Sequence, residues 1–266
     1  MVSEIWGESD YEVIRTSDLT FSSEMALNPD QVLQAVLQTN EKIKEIQEFP
    51  VVPGKNLLDV LGLTNTSGLI GEIFSCNLVD IDERLINNEW EKGRPDLCAI
   101  DKRGREFLTK IEYFLADGNT VNKNYEATKL HWSPFGGESN PLNGVEVKCS
   151  VVGRSEDGRA KYASRWPSNK SSDISWSSHH QDTGTLLGLV WDYIEEIPTI
   201  IAAFFSDDLV TIEGSENTDW RVSTNPNKDK TKKSTATNVS SMTPAGRQKM
   251  GQGPILLPNN ESIRNS

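Results

Sequence analysis

The sequence predicts a mixed α/β protein. Three features carry that expectation: a well-capped amphipathic segment from Asn28, two almost unbroken apolar runs near 185–193 and 199–206, and no internal repeat. The segment "NPDQVLQAVLQTNEKIKEIQEF" has Asn28 as N-cap, Pro29 in the first turn and apolar Val32, Val36, Ile43 and Ile46 at near-helical spacing, so it is a helix. A shorter helix is expected over Leu57 to Leu61, and a third through "SGLIGEIFSCNLVDIDERL". Four strand-like runs follow: "PDLCAI" at 95, "GVEVKCSVV" at 144, "TLLGLVWDY" at 185 and "TIIAAFFS" at 199. The last two read as strands covered on both faces by helices. Between 115 and 143 lies a loop-rich insertion, and insertions of that length tend to serve function or to be disordered.

Composition sets the class. The chain has 266 residues, 36% hydrophobic and 25% charged, enough apolar content for one large core or two modest ones and too much for wholesale disorder. The longest apolar stretch, "IPTIIAAFF", falls well short of the roughly 20 residues of a membrane span. The acidic start "MVSEIWGESD" does not read as a signal peptide, so a soluble cytoplasmic protein is expected. Cys76, Cys98 and Cys149 form no CxxC pair, which suits reduced thiols rather than disulfides or zinc. The formal net charge is -12, yet residues 221–266 hold eight Lys or Arg against two acids. A basic arm on an acidic body is therefore expected, as a solvated flexible tail or as a grip on a polyanion.

The chemistry concentrates in "NGVEVKCSVVG". Side chains alternate along a strand, so Glu146 and Lys148 share one face while Val145, Val147 and Cys149 enter the core from the other. An ion pair on a half-exposed strand satisfies this spacing by itself. A second acid changes the reading: in "EKGRPDLCAID", Pro95 is tolerated at a strand start and holds Asp96 at the strand mouth, where it could lie beside Glu146. Two carboxylates at neighbouring strand ends suit Mg²⁺, which takes one or two carboxylates with waters and phosphate oxygens. A lysine beside them can stabilise charge growing on a phosphoryl group.

Pro95-Asp96, a spacer of some fifty residues, then Glu146-x-Lys148 resembles the signature of the PD-(D/E)XK nucleases, and in particular the type II restriction endonucleases. The resemblance covers about residues 66–206. It implies a restriction-endonuclease-like mixed central sheet flanked by helices. Helix, Asp strand, ExK strand and two further core strands should follow in that order, with residues 1–213 as the nuclease domain and 214–266 as a basic DNA-contacting or flexible segment. It implies Mg²⁺-dependent, sequence-specific hydrolysis of double-stranded DNA. Asp96 and Glu146 would ligate metal, Lys148 would assist water and stabilise charge, and Glu72, on the preceding helix, would share or tune the metal site. An ordinary surface position accounts equally for Glu72.

A homodimer acting on a palindrome, with a companion methyltransferase, is implied as well. A repair or junction-resolving nuclease of the same superfamily and a non-catalytic DNA-binding module are the alternatives.

The family places a helix after the ExK strand, whereas "RSEDGRAKYASRWPSNKSSDISWSSHHQD" has weak helical periodicity. A short helix near Asp173 to His180 or a DNA-facing loop would each fit. Arg154, Arg159, Lys161, Arg165, Trp166, Lys170 and Trp176 mix cations with aromatics as a nucleic-acid contact does; packed tryptophans with solvated cations would look the same. His179, His180 and Gln181 lack the further ligands of a histidine metal site, which leaves a structural or phosphate-contact role. In the tail, Lys228, Lys230, Lys232, Lys233, Arg247 and Lys249 are candidate phosphate contacts, and Thr243-Pro244 reads as the start of a short helix.

Overall fold

The computed structural model describes residues 6–21, 25–87, 95–102, 104–106, 144–152, 176–178, 185–209, 219–221 and 240–259. In chain order these form β1 (Tyr11–Val13), β2 (Leu19–Thr20), β3 (Ala26–Leu27), α1 (Pro29–Gln47), β4 (Pro50–Val52), β5 (Lys55–Asn56), α2 (Leu57–Val60), α3 (Leu63–Ile81), β6 (Leu85–Asn87) and β7 (Leu97–Ala99). There follow β8 (Gly144–Val151), β9 (Ser177–Ser178), β10 (Leu186–Ile194), β11 (Ile197–Ser206), β12 (Trp220–Arg221), β13 (Ser240–Met242), α4 (Pro244–Gly251) and β14 (Pro254–Pro258). Seven strands make a mixed central sheet in the order β1-β14-β11-β10-β8-β7-β6. Its neighbours run antiparallel except β8 and β10, which are parallel. Among the described residues no helix is long and apolar enough to cross a membrane.

Two helices cover one face of this sheet. The Asn28 side chain accepts from Asp30 N and Gln31 reaches back to Asn28 N, so α1 starts with the capping box its sequence promises. Its buried stripe, Val32, Leu33, Val36 and Ile43, packs on α3 and β11. Each such side chain contributes about 1.5–3 kcal/mol on burial. Asn40, also buried in α1, answers a polar need: β10 and β11 slip register between Val190 and Trp191, and Asn40 accepts from Ile200 N at 2.8 Å on the slipped strand. Tyr11 donates to Ile200 O and receives Asn40 Nδ2 at 2.8 Å, so β1, α1 and β11 are joined at one point.

α3 ends at Ile81 rather than running on to Leu85. The reason is Asp82, whose extended backbone ends the helix while its carboxylate takes Arg84 Nε at 2.8 Å, Arg84 NH2 at 2.6 Å and Gln31 Nε2 at 3.2 Å. Those bonds to Arg84, opposed by burial, hold the Asp82 carboxyl below its usual range. Leu85 then turns inward as the first residue of β6.

The hairpin joining β10 to β11 is made by Glu195 and Glu196, whose φ values are +47° and +71°. Positive φ at both central residues is the geometry that favours Asn-Gly, and glutamate is strained there. Replacing the pair by Asn-Gly should raise stability by about 1 kcal/mol. Denaturant unfolding would show this as a higher midpoint at unchanged slope.

Residues 254–258, expected to lie in a separate basic segment, form β14 inside the central sheet, between β1 and β11. The expected boundary after residue 213 therefore does not separate the tail from the core. α4 begins as its sequence predicts, with Thr243 accepting from Gly246 N at 3.1 Å and Pro244 at the first position.

Candidate active site

The site is built where β7 and β8 meet. Gly144 opens β8 because nothing larger fits: a Cβ there would lie 2.0 Å from Leu97 O. The close approach sets Leu97 opposite Val145 and Cys98 opposite Gly144, and one step further along the antiparallel ladder brings Asp96 opposite Glu146. Asp96 Oδ2 accepts from Val147 N at 2.9 Å, which fixes its carboxylate against the neighbouring strand. On the other side β8 runs in register with β10, Glu146 beside Leu186 and Lys148 beside Gly188.

Lys148 Nζ sits between the two acids, 2.6 Å from Glu146 Oε1 and 3.1 Å from Asp96 Oδ2, and donates to Val147 O at 3.1 Å. The hydrogen bonds go to Asp96 and Val147 O, while Glu146 is held by charge at ion-pair distance. Burial is graded across the cluster. Glu146 is 0% exposed, while the side chains of Lys148 and Asp96 keep 18% and 25%. The expectation of a half-exposed strand is corrected at Glu146, because the face that carries it is also covered. A Cβ on Gly188 would meet the Trp176 ring at 2.6 Å, so the indole lies on the strand next to Lys148. Trp176 itself is fully buried, its Nε1 donating to Leu189 O at 3.4 Å and its ring 5.8 Å from that of Phe204. It is a packed tryptophan rather than an exposed stacking platform. The short helix expected near Asp173 to His180 is likewise overturned at 177–178, where β9 pairs with β13.

Comparison with family models, with curated proteins and with solved structures returns no match.

Glu72 does not join the cluster. It stands exposed on α3, which packs on β8 through Gly71 and Cys149, and by strand alternation Cys149 points away from the face of Glu146 and Lys148. The Cys149 thiol is pushed up to about 12, first by burial and further by the charges of Asp96 and Glu72, with Lys148 pulling the other way. Such a thiol is inert at neutral pH. Cys98, beside Asp96, is raised to about 12 chiefly by burial.

Two carboxylates and one ammonium meet at a sparingly solvated junction of two strands. Among the described residues no group of three or more His, Cys, Asp or Glu is set for a metal. A donor set of two carboxylates does not fit a structural zinc site or an all-protein calcium cage, but it fits Mg²⁺, which retains waters and takes phosphate oxygens. Asp96 and Glu146 are the residues that would hold it.

The expected DNA contacts Arg154, Arg159, Lys161, Arg165, Trp166, Lys170, His179, His180, Gln181, Lys228, Lys230, Lys232 and Lys233 lie outside the described residues. Arg247 is half-buried and donates to Met242 O at 3.1 Å. Lys249 pairs with Asp208 at 3.0 Å and Asp219 at 3.1 Å, so its charge serves the packing of α4 rather than an open basic surface. Sequence reasoning passed over Gly144, Gly188 and Thr185, whose carbonyl accepts from Glu146 N at 3.2 Å. The Asn-Gly directly before the valine run was the available signal for Gly144.

Proposed function

We propose that this chain is a Mg²⁺-dependent endonuclease of the PD-(D/E)XK kind, hydrolysing phosphodiester bonds in double-stranded DNA with sequence specificity, as a type II restriction enzyme does. The observation that carries the reading is the meeting of Asp96, Glu146 and Lys148 at one ammonium, from positions fifty residues apart. The succession α3, β6, β7, β8, β10, with β8 and β10 parallel, supports a restriction-endonuclease-like core, since it puts the Asp strand and the ExK strand side by side after a helix.

Hydrolysis forms a bond from a water oxygen to phosphorus and breaks the bond from phosphorus to one sugar oxygen, which leaves with a proton. Bound Mg²⁺ supplies a polarised phosphoryl oxygen and a more acidic water. Asp96 is held in place by Val147 N, so its carboxylate does not have to reorganise. Lys148, partly exposed, can turn a proton from Asp96 toward a phosphate oxygen and stabilise the charge that gathers there. Glu146, buried 2.6 Å from Nζ, aims Lys148.

Asp96→Asn tests this, because the amide oxygen can still accept from Val147 N and the fold should survive. Cleavage should fall by about 10²–10³-fold or more, with DNA binding in Ca²⁺ retained. Undiminished cleavage by the variant would refute the assignment. The full burial of Glu146 favours a second reading, an internal ion pair that only stabilises the strand junction. On that reading the unaltered protein does not cut DNA in any metal.

A further inference from the structure

Lys148 Nζ lies 2.6 Å from Glu146 Oε1 and 3.1 Å from Asp96 Oδ2, so it faces an oxygen of each acid at once. A Mg²⁺ ion bound by both carboxylates needs an oxygen of each at about 2.1 Å and further room for its waters. Asp96 Oδ2 also accepts from Val147 N at 2.9 Å, which pins that carboxylate to β8 and keeps it from turning away to receive an ion elsewhere. Glu146 is 0% exposed, whereas Lys148 and Asp96 keep 18% and 25% of their side-chain surface, so an ion from solvent reaches Glu146 past the lysine. An ammonium and a divalent cation do not share such a place, because like charges a few ångströms apart repel strongly where little water screens them.

We infer that Lys148 is a built-in competitor of the metal: its ammonium occupies the position between Asp96 and Glu146, and a divalent cation binds there only as the lysine side chain swings out. This rests on the reading of Asp96 and Glu146 as metal ligands. A flexible four-carbon stem and a partly exposed position let the ammonium leave while the backbone of β8 stays paired with β7 and β10 on either side. Before the ion arrives, the lysine offsets the repulsion of two carboxylates that neighbouring strands bring together. Afterwards it can meet a phosphate oxygen on the exposed side. The competition makes metal loading weak in the protein alone.

Mn²⁺ binding by the whole chain, followed through the electron paramagnetic resonance of the unbound ion, tests this without reference to cleavage. Lys148→Ala should bind at least about tenfold more tightly than the unaltered protein, because the ion no longer has to displace a charge. Lys148→Arg, which keeps the charge, should bind no more tightly than the parent, and adding Asp96→Asn to Lys148→Ala should abolish the gain. Urea unfolding supplies a second readout: saturating Mn²⁺ should recover most of the midpoint that Lys148→Ala loses, since the ion then does what the ammonium did. A Lys148→Ala chain that folds only in Mn²⁺ would say the same. If the parent binds Mn²⁺ and Lys148→Ala binds it no more tightly, the competition is overturned and the metal site stands. A gain in Lys148→Arg equal to that in Lys148→Ala, or a Lys148→Ala chain that stays unfolded in Mn²⁺, would overturn it too. No Mn²⁺ bound by the parent or by either single variant would overturn the metal reading itself, and this inference with it.

Discussion

Truncation after Gly253 should leave a chain that does not fold cooperatively. β14 lies between β1 and β11, and its Ile255 and Leu256 are completely buried. Removing them forfeits about 1.5–3 kcal/mol for each side chain, opens the edge of β11 and strips β1 of its partner in the sheet. A domain with about 5–15 kcal/mol in hand has little left after such losses. Thermal melts followed by circular dichroism should show no sharp transition for residues 1–253; a melt like that of the whole chain would contradict the place given to β14. The basic tail therefore cannot be tested as a DNA clamp by deleting 226–266, since loss of binding would follow from loss of the sheet. Joint replacement of Lys230, Lys232 and Lys233 by alanine leaves β14 in place and addresses the charges alone.

Lys148→Ala should destabilise the protein by about 3–5 kcal/mol, because Glu146 would remain charged, buried and deprived of the ammonium 2.6 Å away. An aspartate or lysine at a solvent-washed strand mouth would be removable at small cost; the burial of Glu146 rules that out for Lys148. Glu146→Gln combined with Lys148→Ala should recover much of the loss, since a neutral amide needs no counter-charge. Urea unfolding of the two single variants and the double gives the coupling directly. Equal destabilisation by Lys148→Ala with and without Glu146→Gln would show that the pair does not interact as its geometry says.

The long elements were legible because they repeat their signal. α1 announces its start through Asn28 and Pro29 and its buried stripe through nineteen residues, and β10 and β11 are apolar almost throughout. Strands of two or three residues, such as β1, β6 and β12, are too short to display an alternation, and β14, "PILLP", is bounded by prolines that argue against a strand inside a sheet. The end of α3 was hidden because Ile81 and Leu85 extend its apolar spacing, and only the bonds of Asp82 to Arg84 and Gln31 explain the break.

At the site, the shared face of Glu146 and Lys148 followed from strand alternation, and the approach of Asp96 from its place at the strand start. The depth of Glu146 did not. The face that carries it is covered by parts of the chain distant in sequence: Trp176 lies on Gly188, beside Lys148, a contact that no local pattern encodes. Glu72 shows the converse. Its position on a helical wheel fits the border of a buried stripe, but the face that α3 covers is the one bearing Cys149, opposite the two acids' lysine.

The most direct test of the central claim is to incubate the purified chain with supercoiled plasmid in Mg²⁺ and in chelator, and to follow the conversion to nicked and linear forms. The account predicts cutting in Mg²⁺, none in chelator, and none by Asp96→Asn under either condition. Plasmid left intact by the unaltered protein in Mg²⁺, or cut equally in chelator, would contradict it.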